Sequence, residues 1–138
     1  MILVLVDHDR GVLDPLSTRA LTAARKIDAD IQAIVIGANG AGVAAEVGKF
    51  GAKVLHVANN PELNDYAPMA TGRALAQLAD LLKPAAVIAA GSPRGNEQLA
   101  HLAAFKDIPM AAECTSITLG SPHKVVRARW GEIGRAHV

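Results

Sequence analysis

An α/β fold, with helices on both faces of a mostly parallel open sheet, is what this sequence predicts, on three observations. Short aliphatic runs alternate with helix-period segments from the start of the chain, the pattern of repeated strand–helix–strand units. The hydrophobic fraction of 51% is supplied almost wholly by Ala, Val, Leu and Ile, with aromatics at only 3%. Small and branched aliphatics suit a sheet sandwiched between helices. A length of 138 residues fits one domain, with a core large enough to need no disulfide or metal.

The elements follow in order. Ile2–Val6 is a continuous apolar run, as expected of a strand covered on both faces. Asp14-Pro15 places a capping side chain before a proline at the first helical position, and Leu16, Ala20, Ala23 and Ile27 then make a helical stripe. Ile31–Ile36 is the second strand, ended by Gly37; Asn39 is expected to cap a short helix through Val43, Ala44 and Val47 that Gly51 closes. Residues 53–57 are the third strand. A helix from about Asp65 carries Ala67, Ala70, Ala74, Leu78 and Leu81 and stops at Pro84. Residues 85–90 are the fourth strand, and Gly91-Ser92-Pro93-Arg94-Gly95 leads into a helix bearing Leu99, Leu102 and Ala103. Residues 111–118 and Lys124–Arg129 read as two further strands joined through Gly120-Ser121-Pro122. Right-handed crossovers then give the sheet order 3-2-1-4-5 plus an extra C-terminal strand. Growth of the sheet reverses between the first and fourth strands, so a small ligand, if the domain holds one, is expected at the loops Asp7-His8-Asp9-Arg10 and Ser92-Pro93-Arg94-Gly95.

Several function classes are excluded. A net charge of +1, with scattered basic residues, offers no field for nucleic acid or an anionic membrane. No apolar run reaches the length of a membrane span, and the opening strand leaves no room for a leader, so the expected compartment is the cytoplasm. The single cysteine, Cys114, reads as a small apolar residue. No serine lies in a G-x-S-x-G elbow, and no catalytic residue is assigned.

Three segments are candidates for chemistry. Gly37-Ala38-Asn39-Gly40-Ala41-Gly42 is glycine-rich, but its order is G-x-x-G-x-G, it follows the second strand, and it lacks the Lys of a P-loop, so it reads as a tight turn. Asp7-His8-Asp9 resembles a metal or acid–base cluster, yet on extended backbone His8 points away from both carboxylates, and no metal site is assigned. Ser92, Arg94 and Gly95 could form a small anion nest at a helix start, the best placed of the three. The candidate ligand or interface residues are therefore Asp7, His8, Asp9, Ser92, Arg94 and Gly95.

An opening strand running into Asp7-His8-Asp9, the helix start Leu13-Asp14-Pro15 and the segment Leu21-Thr22-Ala23-Ala24 resemble the N-terminal domain of electron transfer flavoprotein alpha subunits. The order continues through the strand and glycine turn at residues 34–42, Lys53-Val54-Leu55, the helix near Tyr66, Ser92-Pro93-Arg94-Gly95 and a closing strand bearing Arg127. The similarity spans residues 1–131 and implies an adenine-nucleotide-hydrolase-like fold. It further implies an alpha/beta heterodimer carrying FAD, which takes electrons from dehydrogenases such as acyl-CoA dehydrogenases and passes them to a quinone oxidoreductase or another acceptor. The flavin is held chiefly by the alpha subunit's C-terminal domain, which this chain lacks, so no cofactor is expected on this chain alone. The beta subunit's related fold typically holds AMP, or a second flavin in bifurcating members. The closing Arg127-Ala128-Arg129-Trp130-Gly131 departs from the commoner Arg-Pro pattern and leaves the subgroup open. The alternative reading is a stand-alone adenine-nucleotide-binding module resembling universal stress proteins. Residues 132–138 carry neither a helix nor a strand pattern and look like a translated sequencing adapter, so they are expected to be a non-native tail.

Overall fold

Five aliphatic residues in a row place β1 (Ile2–Val6) at the centre of the fold, where all five are buried. In this computed structural model, which describes residues 1–129 and 132–137, β1 is flanked by β4 (Ile31–Ile36) on one side and β6 (Ala86–Ala89) on the other. With β5 (Leu55–Ala58) beyond β4, the sheet has four parallel strands in the order β5-β4-β1-β6. This is the expected 3-2-1-4 order, with its reversal of growth beside β1.

Alternation along β1 divides the core. Ile2, Val4 and Val6 pack with Leu21 and Ala24 of α1 (Pro15–Ile27) and with Val47 of α2 (Ala44–Lys49). Leu3 and Leu5 point the other way, onto Leu75 of α3 (Pro68–Leu82) and Leu102 of α4 (Pro93–Lys106). The sheet thus has helices on both faces. On the second face α3 and α4 approach closely at Gly72, where a Cβ would stand 2.6 Å from His101 Cβ, and the Lys106–Asp80 ion pair also joins the two helices.

Three sequence expectations need correction. The fifth strand does not extend the parallel sheet: β7 (Cys114–Thr118) pairs antiparallel with β8 (Lys124–Arg129), and β9 (Glu132–His137) pairs with β8 in turn. Polar Thr115, Ser116 and Thr118 cannot occupy a layer buried on both sides, so the strand leaves it. The tail segment lacks strand periodicity, but backbone pairing along β8 is sufficient to hold it extended. Trp130, Gly131 and Val138 lie outside the described residues.

The stripes of α1 and α3 are rotated from expectation. α1 buries Ser17, Ala20, Leu21 and Ala24 while Leu16 is exposed, and α3 buries Thr71, Gly72, Leu75 and Ala79 while Leu81 is 80% exposed. In alanine-rich helices several faces satisfy the apolar spacing equally, so tertiary contacts choose among them. Ser17 is drawn inward because its Oγ accepts the Asp7 N–H at 2.9 Å. No helix among the described residues is long and apolar enough to cross a membrane.

Candidate functional site

The carboxyl ends of β1 and β4 open into a cleft of about 390 Å3 at the reversal point of the sheet. One wall is the segment after β1. There β2 (His8–Asp9) and β3 (Val12–Leu13) form a tight hairpin whose two turn residues, Arg10 (φ 51°) and Gly11 (φ 83°), are both left-handed. His8 pins this hairpin to the sheet. Its Nε2 donates to Ile36 O at 2.9 Å and its Nδ1 accepts the Gly11 N–H at 3.1 Å, which fixes a neutral tautomer. Both ring nitrogens are therefore engaged in structure. Asp9 is on the rim, where it meets Arg10 at 3.4 Å, a surface pair of little energetic weight.

Asp7 stands between wall and floor. Burial pushes its carboxyl above the ordinary aspartate range, and the Arg94 guanidinium pulls in the opposite direction. The Arg94 guanidinium carbon itself lies over the Tyr66 ring, 4.4 Å from its centroid, and the Tyr66 hydroxyl donates to Glu97 Oε2 at 3.0 Å. Arg94, Tyr66 and Asp7 all line the cleft.

Ser92 and Gly95, expected beside Arg94, do different work. Ser92 is the N-cap of α4, its Oγ accepting the Gly95 N–H at 3.0 Å. A Cβ on Gly95 would sit 2.1 Å from Ala90 O, so glycine is required for α4 to start this close to β6. The predicted loops do converge, but only Asp7, His8, Asp9, Arg10 and Arg94 face the cleft.

The glycine turn is a structural device. Asn39 is left-handed (φ 65°) with no side-chain cap, correcting its expected capping role, and it leads into a 3-10 turn at Gly40–Val43. The Gly40 N–H goes to Gly37 O (3.3 Å), the Gly42 N–H to Asn39 O (3.1 Å) and the Ala38 N–H to Asn64 Oδ1 (3.2 Å). Those three donors are therefore held within the turn and its neighbour Asn64. At about 390 Å3 the cleft is too small to enclose a whole flavin dinucleotide, so it does not fit FAD.

Sequence reasoning missed Gln98 and Thr71, two buried polar side chains that line the cleft. Gln98 was legible in principle, since it stands one turn after Gly95 on the inward face of α4. Cys114 is half-buried, donates weakly to Ala111 O at 3.5 Å, and has its thiol pushed up by burial. Among the described residues no group of three His, Cys, Asp or Glu is placed to hold a metal ion.

A four-stranded parallel sheet with helices on both faces and a small polar cleft at its reversal point defines an α/β domain of the nucleotide-fold class. Residues 2–138 match the family model described as the electron transfer flavoprotein domain, and the chain belongs to that family. It is similar to the probable mitochondrial electron transfer flavoprotein subunit alpha of Caenorhabditis elegans, with 28% identity over 83% of this chain and 35% of the relative. Protein FixB of Azorhizobium caulinodans is 25% identical over 91% of this chain and 36% of its own length. The LctC subunit of the Acetobacterium woodii lactate dehydrogenase (NAD(+),ferredoxin) is 24% identical over 93% and 32%, respectively. The chain thus spans about a third of the length of the curated relatives it matches.

Proposed function

We propose that this chain is the N-terminal scaffold and docking domain of an electron transfer flavoprotein alpha subunit. In the intact parent it pairs with a beta subunit and supports FAD-mediated transfer of electrons from dehydrogenases, acyl-CoA dehydrogenases among them, to a quinone oxidoreductase or another acceptor. The observation that carries this reading is the family match over residues 2–138, together with alpha-type relatives about two and a half times as long. The flavin supplies the electron exchange when bound, and we assign its binding chiefly to the C-terminal domain of the parent. The poor fit of this chain to FAD supports that division.

The domain's contribution is contact, so it is an electron-carrier piece and not an enzyme. Exposed apolar side chains support the reading: Met69 is 53% exposed, and Phe105, Ile108 and Leu81 also face solvent. The working compartment is the cytoplasm, the domain is residues 1–131, and residues 132–138 are a non-native tail. The test is co-expression with an electron transfer flavoprotein beta subunit. The two chains are expected to co-purify, with no yellow flavin absorbance from this chain alone. Stoichiometric flavin on the single chain, or indifference to the beta subunit, would contradict the proposal.

A further inference from the structure

Buried polar atoms are nearly always hydrogen-bonded, and an orphan at the floor of a cleft indicates a missing partner. Gln98 is 2% exposed, and its Oε1 meets no donor among the described residues. It lines the cleft together with Thr71, which is equally buried. The Asp7 carboxyl, a second acceptor, and the Arg94–Tyr66 pair line the same cleft. A volume of about 390 Å3 lies at the small end of the range for ligand cavities, roughly 300–1,000 Å3.

The same geometry disfavours a phosphate. At the start of α4, Pro93 has no N–H, Gly95 N–H is held by Ser92 Oγ, and Asn96 N–H is held by Ser92 O. In the glycine turn the N–H groups of Ala38, Gly40 and Gly42 are also taken. Among the side chains lining the cleft the carboxylates of Asp7, Asp9 and Asp65 outnumber the guanidinium groups of Arg10 and Arg94, so an anion gains little there. The Gln98 Oε1 and Asp7 acceptors lie in the same cleft as the Tyr66 ring and the Arg94 guanidinium over it.

We propose that this cleft binds a small, uncharged, planar molecule bearing an amine or amide N–H, which donates to Gln98 Oε1 while its ring lies along the Tyr66–Arg94 stack. This binding is independent of docking to a beta subunit. The test is calorimetric titration of the chain with adenosine, cytidine and nicotinamide, which share a planar ring and a donor of this kind. Saturable binding of at least one is expected, with its 5′-phosphorylated counterpart binding more weakly. Gln98→Leu keeps the volume and removes the acceptor, and is expected to weaken binding about tenfold or more. Lys49→Ser, at an exposed position outside the cleft lining, is expected to leave it unchanged. Because a core substitution can disturb folding, the Gln98 side-chain amide resonance of the unaltered chain gives a second readout and is expected to shift with the same saturation. Failure of all three probes to bind, equal affinity in a folded Gln98→Leu, tighter binding of the phosphorylated counterpart, or an unmoved Gln98 resonance would overturn the proposal.

Discussion

The two larger sheets of this protein are held together in different ways. In the parallel sheet, β1 is buried along its whole length between two layers of helices. The antiparallel sheet alternates at best: Ile117 packs toward the α1 side of the core while Thr115, Ser116 and Thr118 are exposed. Burial of apolar surface stabilises the first, and main-chain pairing the second. Sheets of the second kind rest on few apolar contacts and open locally at lower free energy.

This contrast is open to direct attack. The largest effect is expected where backbone meets backbone. Gly95→Ala puts a methyl against Ala90 O and is expected to destabilise by about 3 kcal/mol or more, measured by urea denaturation, because neither strand end nor helix start can yield. A melting curve like that of the unaltered chain would mean that α4 does not begin as described. Next, Leu3→Ala is expected to cost about 2–5 kcal/mol and Ile117→Ala about 1 kcal/mol or less, since Leu3 is fully enclosed and Ile117 is not. Equal losses would erase the distinction between the sheets.

A third test concerns pH. Asp7 is raised in the folded state, so folding favours its protonated form; that contribution is complete below the unfolded aspartate value and is lost as pH rises through the higher folded value. Relative to the original chain, Asp7→Asn is therefore expected to gain stability across that rise and to hold the gain at neutral pH. A flat difference between the two chains from pH 3 to pH 7 would show that burial does not penalise this carboxylate. The smallest effect belongs to Lys83, the left-handed C-cap of α3 (φ 50°). Lys83→Gly is expected to stabilise by about 0.5–1 kcal/mol, read as a rise in Tm.

The same division governs how much was legible in sequence. Ile2–Val6 and Ile31–Ile36 are strands with the predicted bounds, because a run buried on both faces needs no information from elsewhere. The Asp14-Pro15 and Ser92-Pro93 helix starts were equally local, since the cap and the proline act within one turn. The rotation of α1 and α3 was not, because it depends on Ser17 meeting Asp7 N–H and on Gly72 meeting His101, contacts between residues far apart in the chain. A cleft does open at the sheet's reversal, lined by Asp7, His8, Asp9 and Arg94, whereas Ser92 and Gly95 serve the start of α4 instead. Periodicity cannot say that His8 will be spent bonding Ile36 O, or that Gln98, preceded by the polar Asn96 and Glu97, will turn inward with its Oε1 unpartnered. The departure of β7 from the parallel sheet was hidden for a similar reason: a strand's length is local, and its choice of edge is not.

Amide hydrogen exchange, recorded on the chain alone and again with an electron transfer flavoprotein beta subunit, tests the docking account most directly. A surface segment of this chain is expected to become protected on addition of the beta subunit, while β1 stays as slow as before. No change in exchange anywhere along the chain, at concentrations where the two proteins should associate, would contradict it.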